Sequence, residues 1–115
     1  MSIRFDGRVA IVTGAAAGLG RSHARALAER GAKVVVNDFG GDVHGTGGSS
    51  EPAERVAEEI RQAGGEAISH GASVSNADQV AHMVASTLAK WGRIDILINN
   101  AGILRDASFL KSSLP

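Results

Sequence analysis

Short apolar runs punctuate the chain, and between them apolar positions recur at helical spacing. Val9 to Val12, the Val34-Val35-Val36 core of Lys33 to Asn37, and the Ile-Asp-Ile-Leu-Ile segment from Ile94 to Ile98 are rich in β-branched residues. Such runs suit strands buried on both faces of a parallel sheet. Glu66-Ala67-Ile68-Ser69-His70 is read as a further strand mainly from its position between two helical segments. Ala24, Leu27 and Ala28 recur among Arg21, Arg25, Glu29 and Arg30, and Gly31 stops that helix. Ala53, Val56, Ala57 and Ile60 form a second stripe, opened by Ser50, Glu51 and Pro52 and closed by Gly64-Gly65. Val80, Met83, Val84, Thr87 and Leu88 form a third stripe. It starts behind Ser75-Asn76-Ala77-Asp78, where the serine and the acid three residues on read as a capping box, and runs to about Trp91 before Gly92.

Four strands therefore alternate with three helices. Crossovers between parallel strands are almost always right-handed, so the alternation predicts an α/β fold: a three-layer, doubly wound parallel sheet of Rossmann type with order 3-2-1-4. One domain spanning 1–115 is the expectation from length.

The first strand runs into Thr13-Gly14-Ala15-Ala16-Ala17-Gly18-Leu19-Gly20. Glycines spaced between a strand and a helix let a pyrophosphate approach the backbone, beside unpaired N–H groups and the positive end of the helix dipole. Asp38 ends the second strand at about the twenty-residue offset at which an acid meets a ribose. It stands at the carboxyl end, where open parallel sheets bind ligands. Residues 39–50 make a glycine-rich loop, long for such a connection, that reads equally as a connector or a functional element.

Composition narrows the partners. Twelve basic and twelve acidic residues cancel, which argues against nucleic acid or an anionic membrane. There is no cysteine, and His23, His44, His70 and His82 lack paired metal-site spacing, so no metal is expected. No apolar run approaches membrane-spanning length and the first residues lack an apolar signal core, so a soluble, cytoplasmic protein is expected. There is also no tyrosine among the 115 residues.

With these residues placed, the chain resembles the N-terminal half of a short-chain dehydrogenase/reductase. Thr13-Gly14-x-x-x-Gly18-x-Gly20 is similar to that family's cofactor loop, and Asn99-Asn100-Ala101-Gly102 to its second signature, after the fourth strand. Val36-Asn37-Asp38-Phe39-Gly40-Gly41-Asp42 and Asn100 to Asp106 further resemble members that oxidise (3R)-hydroxyacyl-CoA. The resemblance implies that Thr13, Gly14, Gly18, Leu19 and Gly20 form the pyrophosphate and nicotinamide side. It implies that Asp38 accepts from the adenosine ribose, that Ser73 and Val74 border the adenine, and that Asn100, Ala101 and Gly102 support the cofactor. Many members place an aspartate at or beside position 73, where this chain has Ala72-Ser73.

The implied cofactor is NAD in preference to NADP, with a 3-hydroxyacyl-CoA or similar secondary alcohol or ketone as substrate of a complete parent, which is expected to be a homo-oligomer. The family's tyrosine, lysine and serine would lie past residue 115, so no catalytic residue is assigned and the chain is expected to be truncated and inactive alone. Ser113-Leu114-Pro115 reads as an N-cap and first turn. Two other classes stay open: a methyltransferase-like nucleoside binder, disfavoured by Asn99 to Gly102, and a non-catalytic nucleotide-binding or interaction module.

Overall fold

The computed structural model describes residues 3–39 and 51–100. The glycine loop from Gly40 to Ser50 and the stretch from Ala101 to Pro115, with Ala101, Gly102 and the Ser113 cap, lie outside the described residues.

Chain order is β1 (Val9–Thr13), α1 (Gly18–Glu29), β2 (Lys33–Asn37), α2 (Glu51–Gln62), β3 (Glu66–His70), α3 (Ala77–Trp91) and β4 (Ile96–Asn99). The four strands form one parallel sheet in the order β3-β2-β1-β4. This is the doubly wound topology expected from the alternation of strands and helices.

Strand periodicity divides the core into two layers. Val12, Val34 and Val36 face α1 and α2, where Ala24, Ala28, Ala53, Val56, Ala57 and Ile60 complete the packing. Ile11 and Val35 face the other way, toward Met83 of α3, with Ile68, Trp91 and Leu97 packed around them. Because each of Val9 to Val12 and Val34 to Val36 is at most 1% exposed, both faces of β1 and β2 are sealed. Alanine at positions 24 and 28 lets α1 lie close to the sheet. Full burial of each Val or Ile contributes roughly 1.5–3 kcal/mol, enough to fix strand register.

Two details depart from the sequence expectations. The cap of α3 is Asn76, whose Oδ1 accepts from the Gln79 N–H at 3.0 Å. Ser75 instead pairs its hydroxyl with that of Ser73 at 2.8 Å. The capping motif is thus shifted by one residue, because an asparagine directly before the first helical residue satisfies the first-turn donors itself. β4 begins two residues later than expected. Ile94 packs beneath α3 and Asp95 is engaged by Val9 before the ladder starts at Ile96. Among the described residues, no helix is long and apolar enough to cross a membrane.

Candidate functional site

All four strands run in parallel, so their carboxyl ends gather at one rim, and the loop from Gly14 to Ala17 crosses that rim. Its shape follows from glycine. Gly14 and Gly18 have φ of 61° and 59°, in the left-handed region that a Cβ disfavours. Gly20 has ordinary φ, but a Cβ built there would overlap the Gly14 carbonyl oxygen and come within 2.9 Å of Asn100 Nδ2. A glycine at position 20 therefore sets how closely α1 approaches the loop.

The loop is tied to both flanking strands. On the β2 side, Ala15 N–H donates to the Asn37 carbonyl at 2.9 Å, and Ala16 N–H donates to Asp38 Oδ2 at 3.0 Å. On the β4 side, Asn100 Nδ2 donates to the Gly14 carbonyl at 3.3 Å. Thr13, fully buried, accepts the Asn100 N–H at 3.0 Å, with Asn99 Oδ1 at 3.1 Å from its hydroxyl. Thr13 and Asn100 thus hold the loop from behind.

What the loop presents outward suits an anion. Ala17, the N-cap residue, supplies no side-chain cap, and the first turn of α1 contains no acid. The N–H groups of that turn and the dipole's positive end attract negative charge. Leu19, in the same turn, is 70% exposed and leaves an apolar surface beside the rim.

Ser73 and Val74 lie on the next loop, after β3. Asn37 sets that loop's position: it is 1% exposed, and its Nδ2 donates to the His70 and Ala72 carbonyls at 3.1 and 3.0 Å. The sequence reading did not single out Asn37; the available signal was a polar residue ending a run of buried valines. Ser73 N–H donates to Gln79 Oε1 at 2.7 Å, so it is already partnered. Beside this loop a cavity of about 400 Å³ opens between the ends of β2 and β3 and the start of α3, lined by Phe39, His70, Gln79 and His82 among others.

The fold also builds a histidine pair that spacing did not reveal. His70 Nδ1 accepts the Ala72 N–H at 3.1 Å, so its proton sits on Nε2, which donates to His82 Nδ1 at 2.9 Å. Burial, and secondarily the neighbouring His82, hold the His70 pKa below the ordinary imidazole value. Among the described residues, no group of three or more His, Asp or Glu could hold a metal ion.

Basic charge near the loop is committed elsewhere. Arg21, in the first turns of α1, places its guanidinium on Glu59 of α2, with Nε and NH2 both about 3 Å from Oε1.

Of the residues expected at the site, Thr13, Gly14, Gly18, Leu19, Gly20, Asp38 and Asn100 gather at the β1 end of the rim. Ser73 and Val74 stand on the neighbouring loop, beyond Asn37.

Comparison with known proteins matches residues 8–114 to the short chain dehydrogenase family. Peroxisomal multifunctional enzyme type 2 of Drosophila melanogaster is 55% identical over 111 residues, covering 96% of this chain and 18% of that protein. A short chain dehydrogenase from Mycobacterium avium superposes with a TM-score of 0.75 at 49% identity, over 88% of this chain and 35% of that one. A metagenomic short-chain oxidoreductase solved in complex with NADP gives 0.74 at 40% identity, over 86% and 41% of the two chains.

Proposed function

The chain belongs to the short chain dehydrogenase family, and on that premise we propose that residues 1–115 form the nicotinamide-dinucleotide-binding unit of an oxidoreductase. The substrate we assign to the complete protein is a 3-hydroxyacyl-CoA or a similar secondary alcohol or ketone. The observation that carries the cofactor reading is the Asp38–Ala16 hydrogen bond, which sets a carboxylate beside an uncapped helix N-terminus. The cradle fits a dinucleotide. Gly18 has no neighbour within 4 Å of a built Cβ, which leaves room for a pyrophosphate to reach the N–H groups of Gly18, Leu19 and Gly20.

In this reading Asp38 accepts the adenosine ribose hydroxyls, Ser73 and Val74 border the adenine, and Leu19 covers the nicotinamide side. Thr13 and Asn100 hold the loop and β4 in register, and Ala101 and Gly102 are assigned to the cofactor together with Asn100. The bound nicotinamide supplies the hydride chemistry; the protein groups described here bind and orient it. NAD(H) is preferred over NADP(H), because Asp38 would face a 2′-phosphate with like charge and Ala17 supplies no compensating base. Homo-oligomeric assembly belongs to the same reading. A cytoplasmic setting belongs to it as well.

The test is a titration of NADH and NADPH at equal ionic strength, on the chain and on Asp38→Ser. Tighter NADH binding that narrows in the variant supports the reading; tighter NADPH binding by the unaltered chain overturns the preference. Because the chain contains no tyrosine to act as acid or base, cofactor binding without turnover of a 3-hydroxyacyl-CoA is the expected behaviour.

A further inference from the structure

Arg21 follows the N-cap residue Ala17 by four positions, so the two share one helix face. Helical side chains lean toward the N-terminus, so an unrestrained Arg21 would extend along that face toward Ala16 and Ala17. That is the ground where Ala16 N–H meets the Asp38 carboxylate. In the structure Arg21 does not take this path. Its guanidinium crosses to α2 and bonds Glu59 Oε1 through Nε at 3.0 Å and NH2 at 2.9 Å. Arg25 NH1 stands 4.0 Å from the same oxygen, so Glu59 gathers both cations of this face. The Arg21 and Glu59 side chains are 40% and 41% exposed, so the pair is only half-buried and its geometry depends on the carboxylate being present.

We infer that Glu59 is a specificity-determining residue: by holding Arg21 against α2, it keeps a cation from the ribose end of the site and so enforces discrimination against a 2′-phosphate. Glu59 touches no cofactor and acts through Arg21. Without it, Arg21 has the reach and the planar donor fork to meet a phosphate beside Asp38 and offset the carboxylate's repulsion. The inference rests on the dinucleotide-binding reading of the loop.

The experiment follows NADH and NADPH binding by cofactor fluorescence for the chain, Glu59→Gln, Arg21→Gln and the double variant, with unfolding monitored in parallel. Glu59→Gln is expected to shift the NADPH-to-NADH affinity ratio toward NADPH by about tenfold, the scale of one charge-assisted contact. Arg21→Gln breaks the same ion pair yet leaves the ratio unchanged, and the double variant returns to the parental ratio. That contrast separates tethering from a purely structural role, which both single variants would disturb alike. Should Glu59→Gln fail to fold, Glu59→Asp, with a shorter reach, is expected to give a smaller shift of the same sign. NADH binding with an unchanged ratio in the folded Glu59 variant overturns the inference alone. Failure of the unaltered chain to bind either cofactor overturns the dinucleotide reading and this inference with it.

Discussion

Asp95 and Val9 exchange two hydrogen bonds: Asp95 N–H donates to the Val9 carbonyl at 2.8 Å, and Val9 N–H donates to Asp95 Oδ2 at 2.9 Å. The side chain therefore continues the β1–β4 pairing one step before the ladder begins at Ala10 and Ile96. Arg93 completes the arrangement, forking onto both carboxylate oxygens at 2.8 Å. That fork, aided by the Val9 N–H and opposed by burial, holds the Asp95 carboxyl below its ordinary pKa.

A carboxylate with a lowered folded pKa adds stability that is present above the unfolded value and lost as pH falls through the folded one. The unfolding midpoint is expected to decline below about pH 4, with Asp95→Asn closing the gap to the parent over that range. At neutral pH, Asp95→Ala leaves the buried Val9 N–H without its acceptor, and a loss of about 1–3 kcal/mol is expected by chemical denaturation. Equal midpoints for the parent and Asp95→Ala would remove the clasp from the account of β4.

His70 predicts a second, separate window. Its pKa is lowered in the folded chain, so the unfolded chain binds the proton first, and stability present above about pH 6.5 drains away as pH falls toward the folded value. Protonation at Nδ1 also ends its acceptance of the Ala72 N–H and places positive charge against the His82 ring. Thermal midpoints between about pH 8 and about pH 5 should fall for the parent and stay flatter for His70→Gln. The same slope in both proteins would place the titration elsewhere.

Gly20→Ala should damage the loop more than Gly18→Ala. The first change drives a Cβ into the Gly14 carbonyl oxygen, and neither backbone segment can yield without α1 moving off the loop. Overpacking of this kind costs about 1–3 kcal/mol, and NADH affinity is expected to fall by at least about tenfold with it. Gly18→Ala meets no neighbour within 4 Å, and its penalty is the positive φ alone, about 1–2 kcal/mol. Calorimetric binding of NADH by both variants checks the order; a tight-binding Gly20→Ala would mean that α1 does not need this approach.

The contrast between these glycines marks how much of the molecule is legible in its sequence. β-branched runs and helical stripes read directly as the 3-2-1-4 sheet, because continuous burial on both faces leaves few other placements for Val34, Val35 and Val36. The position of the glycine loop after β1 and of Asp38 just past β2 also follows from local spacing. Partners brought together by tertiary structure did not. Asn37 meets Ala72, Arg21 meets Glu59 and His70 meets His82 across 35, 38 and 12 positions, separations that no helical or strand period encodes. In the sequence Asp95 is only a charge within an apolar run, and the β1–β4 register reveals that its carboxylate stands in for a ladder acceptor.

That register exposes a final contrast, between the outer strands of the described sheet. On β3, Arg61 Nε donates to the Ala67 carbonyl at 3.2 Å and Glu54 accepts the Ser69 hydroxyl at 2.7 Å, so charged side chains of α2 guard the strand. On β4, Ile96, Leu97 and Ile98 are half-buried, and the nearest charge, Asp95, is spent on Val9 and Arg93. A strand edge of this composition invites pairing with another chain, so the 115-residue protein is expected to associate as concentration rises. Ile96→Lys adds a charge on the face shared with Ile98, at a position outside the sealed core. It should lower the apparent mass in light scattering across a dilution series while leaving the far-ultraviolet spectrum unchanged. Association that persists undiminished in a folded Ile96→Lys variant would move the contact away from β4, and a monomer at every concentration would show the strand to be covered.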